Sequence, residues 1–520
     1  MNTLILGIVV ILYLAALAFL GYLGYKRTKN ASDYLLGSRR INPVIMALSY
    51  GATFISASAI VGFGGVSATF GMGIQWLCML NILVGVILAF IFFGRRTRSL
   101  GEAYKARTFP QLLGIHYQSR AVQVIIALVI VAGMPLYTAV VMKGGAVFLE
   151  QIFAIDYHIA LLVFTLIVAA YVITGGIKSV MYTDAFQAVI MFCCMFFLLI
   201  GFYRIVGMGF SEANRALTDM AHLVPERFQA IGHQGWTRMP VTGSPQWYTL
   251  VTSLIFGVGI GCLAQPQLAV RFMMVKSTKQ LNQGILIGSL FILVSVGTIY
   301  HVGPLSNIFF MQTEGKVAAD VVKDMDKIIP YFIDKAMPQW FGLFFMLCIL
   351  SASMSTLSAL FHTIGAAFGN DVFPKIGRRK NEQSTLGPRI GVLFAILVSY
   401  VICYVLSAGI IARGTALFMG ICAATFLPAY FCSLYWKKTT RQGALASLCT
   451  GLFTSLFCML FLHRAEAAPI GLCRLLTGKD VLIDVYPWFA VDPIVFALPV
   501  SILTIVVVSL MKNGKLKVEN

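Results

Sequence analysis

Apolar runs of about 18 residues or more recur along the whole of this chain, and no other feature limits its fold as strongly. Each run is long enough to cross a ~30 Å hydrocarbon core at 1.5 Å per residue. Lipid satisfies no backbone hydrogen bonds, so only helices and closed barrels can span it. A barrel would read as short alternating segments, and this sequence has none. The expected fold class is therefore an all-α polytopic membrane protein. Charge agrees: only 11% of residues are charged, against about one-quarter in soluble domains.

The hydropathy pattern predicts about thirteen transmembrane helices, at 3–25, 43–70, 75–94, 121–148, 158–175, 184–205, 248–270, 282–303, 339–368, 389–408, 413–436, 442–463 and 488–511. The formal net charge is +19, and its distribution argues against nucleic acid as a partner. Basic residues cluster in short connections: Lys26, Arg27, Lys29, Arg39 and Arg40 in one, Arg95, Arg96, Arg98, Lys105 and Arg107 in the next. The connections at 271–281, 369–389 and 437–441 are also basic, as is the tail with Lys512, Lys515 and Lys517. This is the positive-inside pattern, and with an odd number of spans it predicts the N-terminus outside and the C-terminus inside. A multi-pass protein of the plasma (inner) membrane is expected. The whole of 1–520 reads as one transmembrane domain, with a polar connection around Gly232 to Pro245 too short to fold alone.

Eleven cysteines lie mostly within apolar runs, with Cys473 in a loop, and no spacing suggests a metal site. The first apolar run lacks a basic leader segment, so an uncleaved first helix is expected.

Two spans are unlike the rest. "GATFISASAIVGFGG", residues 51–65, packs glycines and hydroxyls into the second span. The seventh reads "LIFGVGIGCLAQPQLAVRF", with Gly257, Gly259, Gly261 and Pro266. Glycine weakens a helix by about 1 kcal/mol relative to alanine, and proline removes a donor. Such breaks persist only where protein or a polar cavity covers them. The two broken spans are five helices apart, which points to two inverted five-helix repeats, 43–205 and 248–436, with a site where the breaks meet. The helix at 3–25 would then be extra, and 442–511 would hold two peripheral helices. The glycines and hydroxyls of 51–65 are expected to form an unwound hinge. A third stretch, "LSASMSTLSALFHT" at 350–363, covers one helix with hydroxyls, and a hard cation favours several oxygens.

At these stretches the chain resembles the sodium:solute symporter family. "YLLGSRRINPVIMALSYGATFISAS" is similar to the family's approach to its first core helix, and "TGGIKSVMYTDAFQAVIM" to its fourth and fifth. "AQPQLAVRFM", "SASMSTLSA" and "FLPAYFCSLYWKKTTRQGALAS" resemble the sixth, eighth and tenth. The resemblance implies a LeuT-like fold with a 5+5 inverted-repeat core. It also implies that sodium (Na+) is bound by the carbonyls of Ala52, Ile55 and Ala352 and the hydroxyls of Ser355 and Thr356. Asp184 matches a family acid that lies on the ion pathway or joins a second ion site with Ser358, although Ala359 stands where that second site needs a hydroxyl. Pairing with Lys178 is the plainer alternative for Asp184.

Phe54 replaces the acid found in similar proline transporters, and "ATFISASAIVG" is nearest to pantothenate- and monocarboxylate-type members. The expected function is sodium-coupled import of a small organic solute, an organic anion such as a monocarboxylate or pantothenate, by alternating access. An amino acid or sugar is the alternative solute, and a non-transporting solute sensor the alternative class. A sensor would be expected to append a signalling domain, and the chain ends about ten residues after its last span. No nucleophile–base constellation or nucleotide loop suggests an enzyme. Thr53, Ser56, Gln75, Gly257 and Gln265 are candidates to line the solute cavity. Lys143 either snorkels or pairs with Glu150, or it attracts a carboxylate solute. The partners are then the solute, sodium and the bilayer, with one chain sufficient.

Overall fold

The computed structural model describes residues 3–26, 31–37, 41–172, 177–372 and 386–518. Arg27, Lys29, Arg39 and Arg40, residues 174–176 of the signature stretch and the basic stretch at 373–385 lie outside the described residues. The side chains of Lys515 and Lys517 lie outside them as well.

Among the described residues the fold is helical throughout, with one isolated backbone bridge between Ile41 and Val275. In chain order the main helices are α1 (Thr3–Lys26), α2 (Pro43–Phe54), α3 (Ser58–Phe70), α4 (Met72–Ala103), α5 (Arg120–Phe153), α6 (Tyr157–Val172) and α7 (Ile177–Val206). There follow α8 (Pro245–Ala264), α9 (Pro266–Phe272), α10 (Thr278–Glu314), α11 (Met325–Ala336), α12 (Gln339–Val372), α13 (Leu386–Val405), α14 (Ile411–Tyr435), α15 (Arg441–Leu462) and α16 (Ile494–Val518). Among the described residues eleven helices are long and apolar enough to cross a membrane, and twelve spans result when α2 and α3, bent by 53°, count as one. The remaining expected span, 158–175, corresponds to a shorter apolar helix, Tyr157–Ala170.

Local chemistry explains where several helices start. Asn42 accepts the Val44 N–H at 2.9 Å and Pro43 follows, needing no partner for the donor it lacks. Ser119 and Ser277 cap α5 and α10 through bonds from Val122 and Gln280, both at 3.3 Å.

Burial separates the centre from the rim. In α12, 83% of the apolar window is buried, against 17% in α1, so α12 is a central post and α1 a peripheral one. The inner half of the bent pair, α2, packs on α7, α10 and α12, while α14 packs on α5 and α8.

The glycines of 51–65 turn out to have a different job from the expected hinge. Unwinding is confined to Ile55 and Ser56, and Gly62, Gly64 and Gly65 lie in helical backbone. What they supply is close approach. A Cβ on Gly65 would stand 1.9 Å from the Met325 carbonyl oxygen of α11, and one on Gly62 would stand 2.9 Å from the Ala412 nitrogen of α14. Small residues let backbones touch, and here they seat α3 against two neighbours.

Candidate ion and solute site

Between α2 and α3 the backbone leaves the helix at Ile55, with φ −91° and ψ 101°. Carbonyls ahead of such a break have no N–H one turn on to receive. Two of them find hydroxyls on α12. Ser355 Oγ donates to the Ala52 carbonyl at 2.8 Å and lies 3.3 Å from the Ala352 carbonyl of its own helix. Thr356 Oγ1 reaches the Thr53 carbonyl at 3.1 Å and the Ala52 carbonyl at 3.4 Å. Ala52, Ala352, Ser355 and Thr356 are all fully buried.

Four of the five residues expected at a sodium site, Ala52, Ala352, Ser355 and Thr356, thus meet from two helices distant in sequence. Ile55 stands at the break itself, where its extended backbone takes its carbonyl out of the helical ladder. The donor set suits the ion: neutral, hard oxygens and no nitrogen or sulfur, the chemistry that favours hard cations over transition metals. Among the described residues no group of three or more His, Cys, Asp or Glu side chains could hold another metal.

Asp184 on α7 is also fully buried, and its partner is Arg271 of α9, at 2.9 Å, in place of the Lys178 alternative. Ser49 donates to the same carboxylate oxygen at 2.7 Å and Thr53 Oγ1 at 3.3 Å. Arg271 further bonds Ser49, Thr53 and the Gln267 carbonyl. A buried ion pair persists best with its remaining valences met; these hydroxyls serve Oδ2 of Asp184, while its Oδ1 is buried without a partner. Ser358 is not drawn into this cluster, since its hydroxyl bonds the Ser355 carbonyl of its own helix at 2.9 Å.

Beside the break lies a small cavity lined by Phe54, Ile55, Ser56, Asn81, Tyr137, Val258, Tyr300, Thr415 and others, none of them charged. Of the candidate solute residues, only Ser56 is on its wall. Thr53 directs its hydroxyl to the ion pair instead. Gln75 donates to the Gly297 carbonyl at 3.3 Å, and Gln265 to Gly261 of its own span at 3.3 Å. Gly257 lies next to the cavity residue Val258, close to the Ala416 carbonyl of α14.

Lys143 is 5% exposed and donates to the carbonyls of Leu406 and Ser407, at 2.9 and 2.5 Å, just past the end of α13. A cation at a helix C-terminus is well placed for the dipole. The alternative partner, Glu150, pairs with Lys327 at 2.8 Å. On the same side, Asp326 of α11 is buried close to the backbone of Gly409 and Ile411 at the start of α14. Burial, with Asp324 nearby, pushes its carboxyl up to about 7.

Arg271, Asn81, Tyr137 and Tyr300 escaped the sequence reading. Arg271 had a signal: it is the one charge in "AQPQLAVRFM", right after a break, and a charge at membrane depth implies a partner.

The sodium:solute symporter family matches residues 34–451. Similar proteins include the high-affinity proline transporter of Bacillus subtilis, 27% identical over 82% of this chain and 87% of its own. The sodium/pantothenate symporter of Haemophilus influenzae is also 27% identical, over 82% of this chain and 84% of its own. Among solved structures, a Na+-coupled sialic acid symporter superposes with a TM-score of 0.74 at 18% identity, covering 98% of each chain. That likeness concerns the fold, which is LeuT-like.

Proposed function

The chain belongs to the sodium:solute symporter family, and from that premise we propose that it imports a small organic anion of the monocarboxylate or pantothenate kind by alternating access. Sodium is the coupling ion. The observation that carries the reading is the meeting of the Ala52 and Thr53 carbonyls with the Ser355 and Thr356 hydroxyls. Those oxygens come from two separately placed helices, so an ion bound by both sets favours the arrangement in which they converge. Separation of α2–α3 from α12 would disperse the oxygens and release the ion. The plasma membrane, with the N-terminus outside, is the proposed setting.

The uncharged cavity wall supports a solute whose charge is not repelled by acidic side chains. Phe54 on that wall adds apolar surface. A zwitterionic amino acid is the second reading, favoured by the proline transporter among the similar proteins.

One sodium descending ~100 mV supplies about 2.3 kcal/mol. A monoanion carried with one sodium moves no net charge and draws only on the sodium gradient. Uptake and current in proteoliposomes separate the readings. Sodium-driven accumulation of a monocarboxylate without inward current is expected. Accumulation of proline or another amino acid with inward current, and none of any carboxylate, would replace the anion reading with the second one.

A further inference from the structure

Asn81 lies on α4 and forms part of the cavity wall, 3% exposed. Its side-chain oxygen is buried and has no hydrogen-bond partner. Lipid offers none, and the neighbouring Phe54, Phe63 and Met419 are apolar. A buried, unpaired amide oxygen costs free energy, so it is retained where something else repays it. Of the polar side chains on this wall, Asn81 is the one with a buried atom left without a partner, and the Thr415 hydroxyl bonds the Ile411 carbonyl at 2.9 Å.

We propose that the transported solute carries, besides its charged groups, a hydroxyl or amide N–H that donates to Asn81 Oδ1, which makes Asn81 the residue that separates hydroxyl- or amide-bearing solutes from their bare analogues. A carboxylate accepts hydrogen bonds and donates none, so it cannot fill this role. The solute therefore has a second polar group besides its charged one. The inference rests on the reading of this cavity as the solute site of a sodium symporter. It adds the chemical class: a short hydroxy acid or an amide-containing acid in place of a plain alkyl carboxylate. A site with a buried acceptor rejects the analogue lacking the donor because the acceptor stays unpaired in that complex.

The test uses the full-length protein in lipid nanodiscs with sodium, and dissociation constants from thermal stabilisation by probe pairs that differ by one hydroxyl. Lactate is set against propionate, glycolate against acetate, serine against alanine, and hydroxyproline against proline, with pantothenate as an amide-bearing probe. Expected is binding of at least one pair, with the hydroxyl-bearing member about tenfold tighter or better. Asn81→Leu should bring that ratio close to one, and its sodium-induced shift reports whether it folds. Asn81→Ser, which keeps an acceptor, should retain part of the ratio and decides the matter if the leucine variant does not fold. Equal affinities within every bound pair, a ratio that survives Asn81→Leu, or no binding by any donor-bearing probe overturns the inference. The two readings fail separately. A ratio seen only for serine or hydroxyproline sinks the anion reading and keeps this one. Equal binding of lactate and propionate does the reverse.

Discussion

At Ile55 the α2–α3 pair turns to φ −91°, ψ 101°, and at Gln265 the α8–α9 pair turns to φ −74°, ψ 116°. The two turns are nearly the same backbone, five helices apart. Their surroundings differ. The second break is mended from within: Gln265 returns its side chain to Gly261, Gln267 reaches Gln265 at 3.2 Å, and Pro266 has no N–H to satisfy. The first is mended from outside, by hydroxyls of α12. A break closed by its own side chains is only a bend. One closed by rotatable hydroxyls from another helix can exchange those hydrogen bonds for a cation, because the same oxygens present lone pairs when their protons turn away. Symmetry of the backbone therefore leaves the proposed ion site on one side only.

The largest effect expected from this contrast is in the double variant Ser355→Ala, Thr356→Ala. It should abolish sodium-stimulated uptake in proteoliposomes, or raise the half-saturating sodium concentration at least tenfold. Full uptake at unchanged sodium would remove the distinction between the breaks.

Asp184→Asn comes next, because it leaves the Arg271 charge buried without a counter-ion. A loss of about 3–5 kcal/mol is expected in denaturation of the purified protein. Pairing it with Arg271→Gln should recover most of the loss, and a double variant as unstable as the single would show that the pair is not what holds these helices.

A smaller effect is expected at Asp326. Its carboxyl, raised to about 7 in the fold, keeps a proton that the unfolded chain releases near pH 4. The native state then binds more protons between those values, so stability falls as pH rises from about 4 to about 7. Melting curves of Asp326→Asn across that window should be flatter than those of the wild type.

Gln265→Leu should cost only about 1 kcal/mol and leave the sodium requirement where it was, since the proposed ion site lies at the other break. A severalfold shift in sodium dependence there would make the two breaks alike. Least of all should come from Lys143→Gln: its ammonium is committed to carbonyls after α13, so apparent affinity for carboxylates is expected to stay within about twofold of wild type.

The elements that could be read from the sequence were those with local causes. Run length gave away the spans, and glycine, proline and hydroxyl content gave away both breaks and the α12 hydroxyl stripe. Charge partners could not be read this way. Asp184 is 87 residues from Arg271, and Glu150 is 177 from Lys327, whereas Lys178 and Lys143 were merely the nearest opposite charges in the chain. Proximity in sequence says little once helices pack side by side. The glycines of 51–65 misled for a related reason: weak helix formers and close-packing surfaces look alike until the neighbour, here Met325, is in view. Asn81 carried no signal at all, because an unpaired amide is a property of what surrounds it.

Thr53 closes the comparison. Its carbonyl oxygen accepts from Thr356 while its hydroxyl sits on the Asp184–Arg271 pair. One residue thus belongs to both clusters, separated by a few covalent bonds of its own. Any rotation of the α2 end that rearranges one set of contacts must be felt by the other within the same step. The proposed ion site and the buried charges are in mechanical register, like two marks on a single rule.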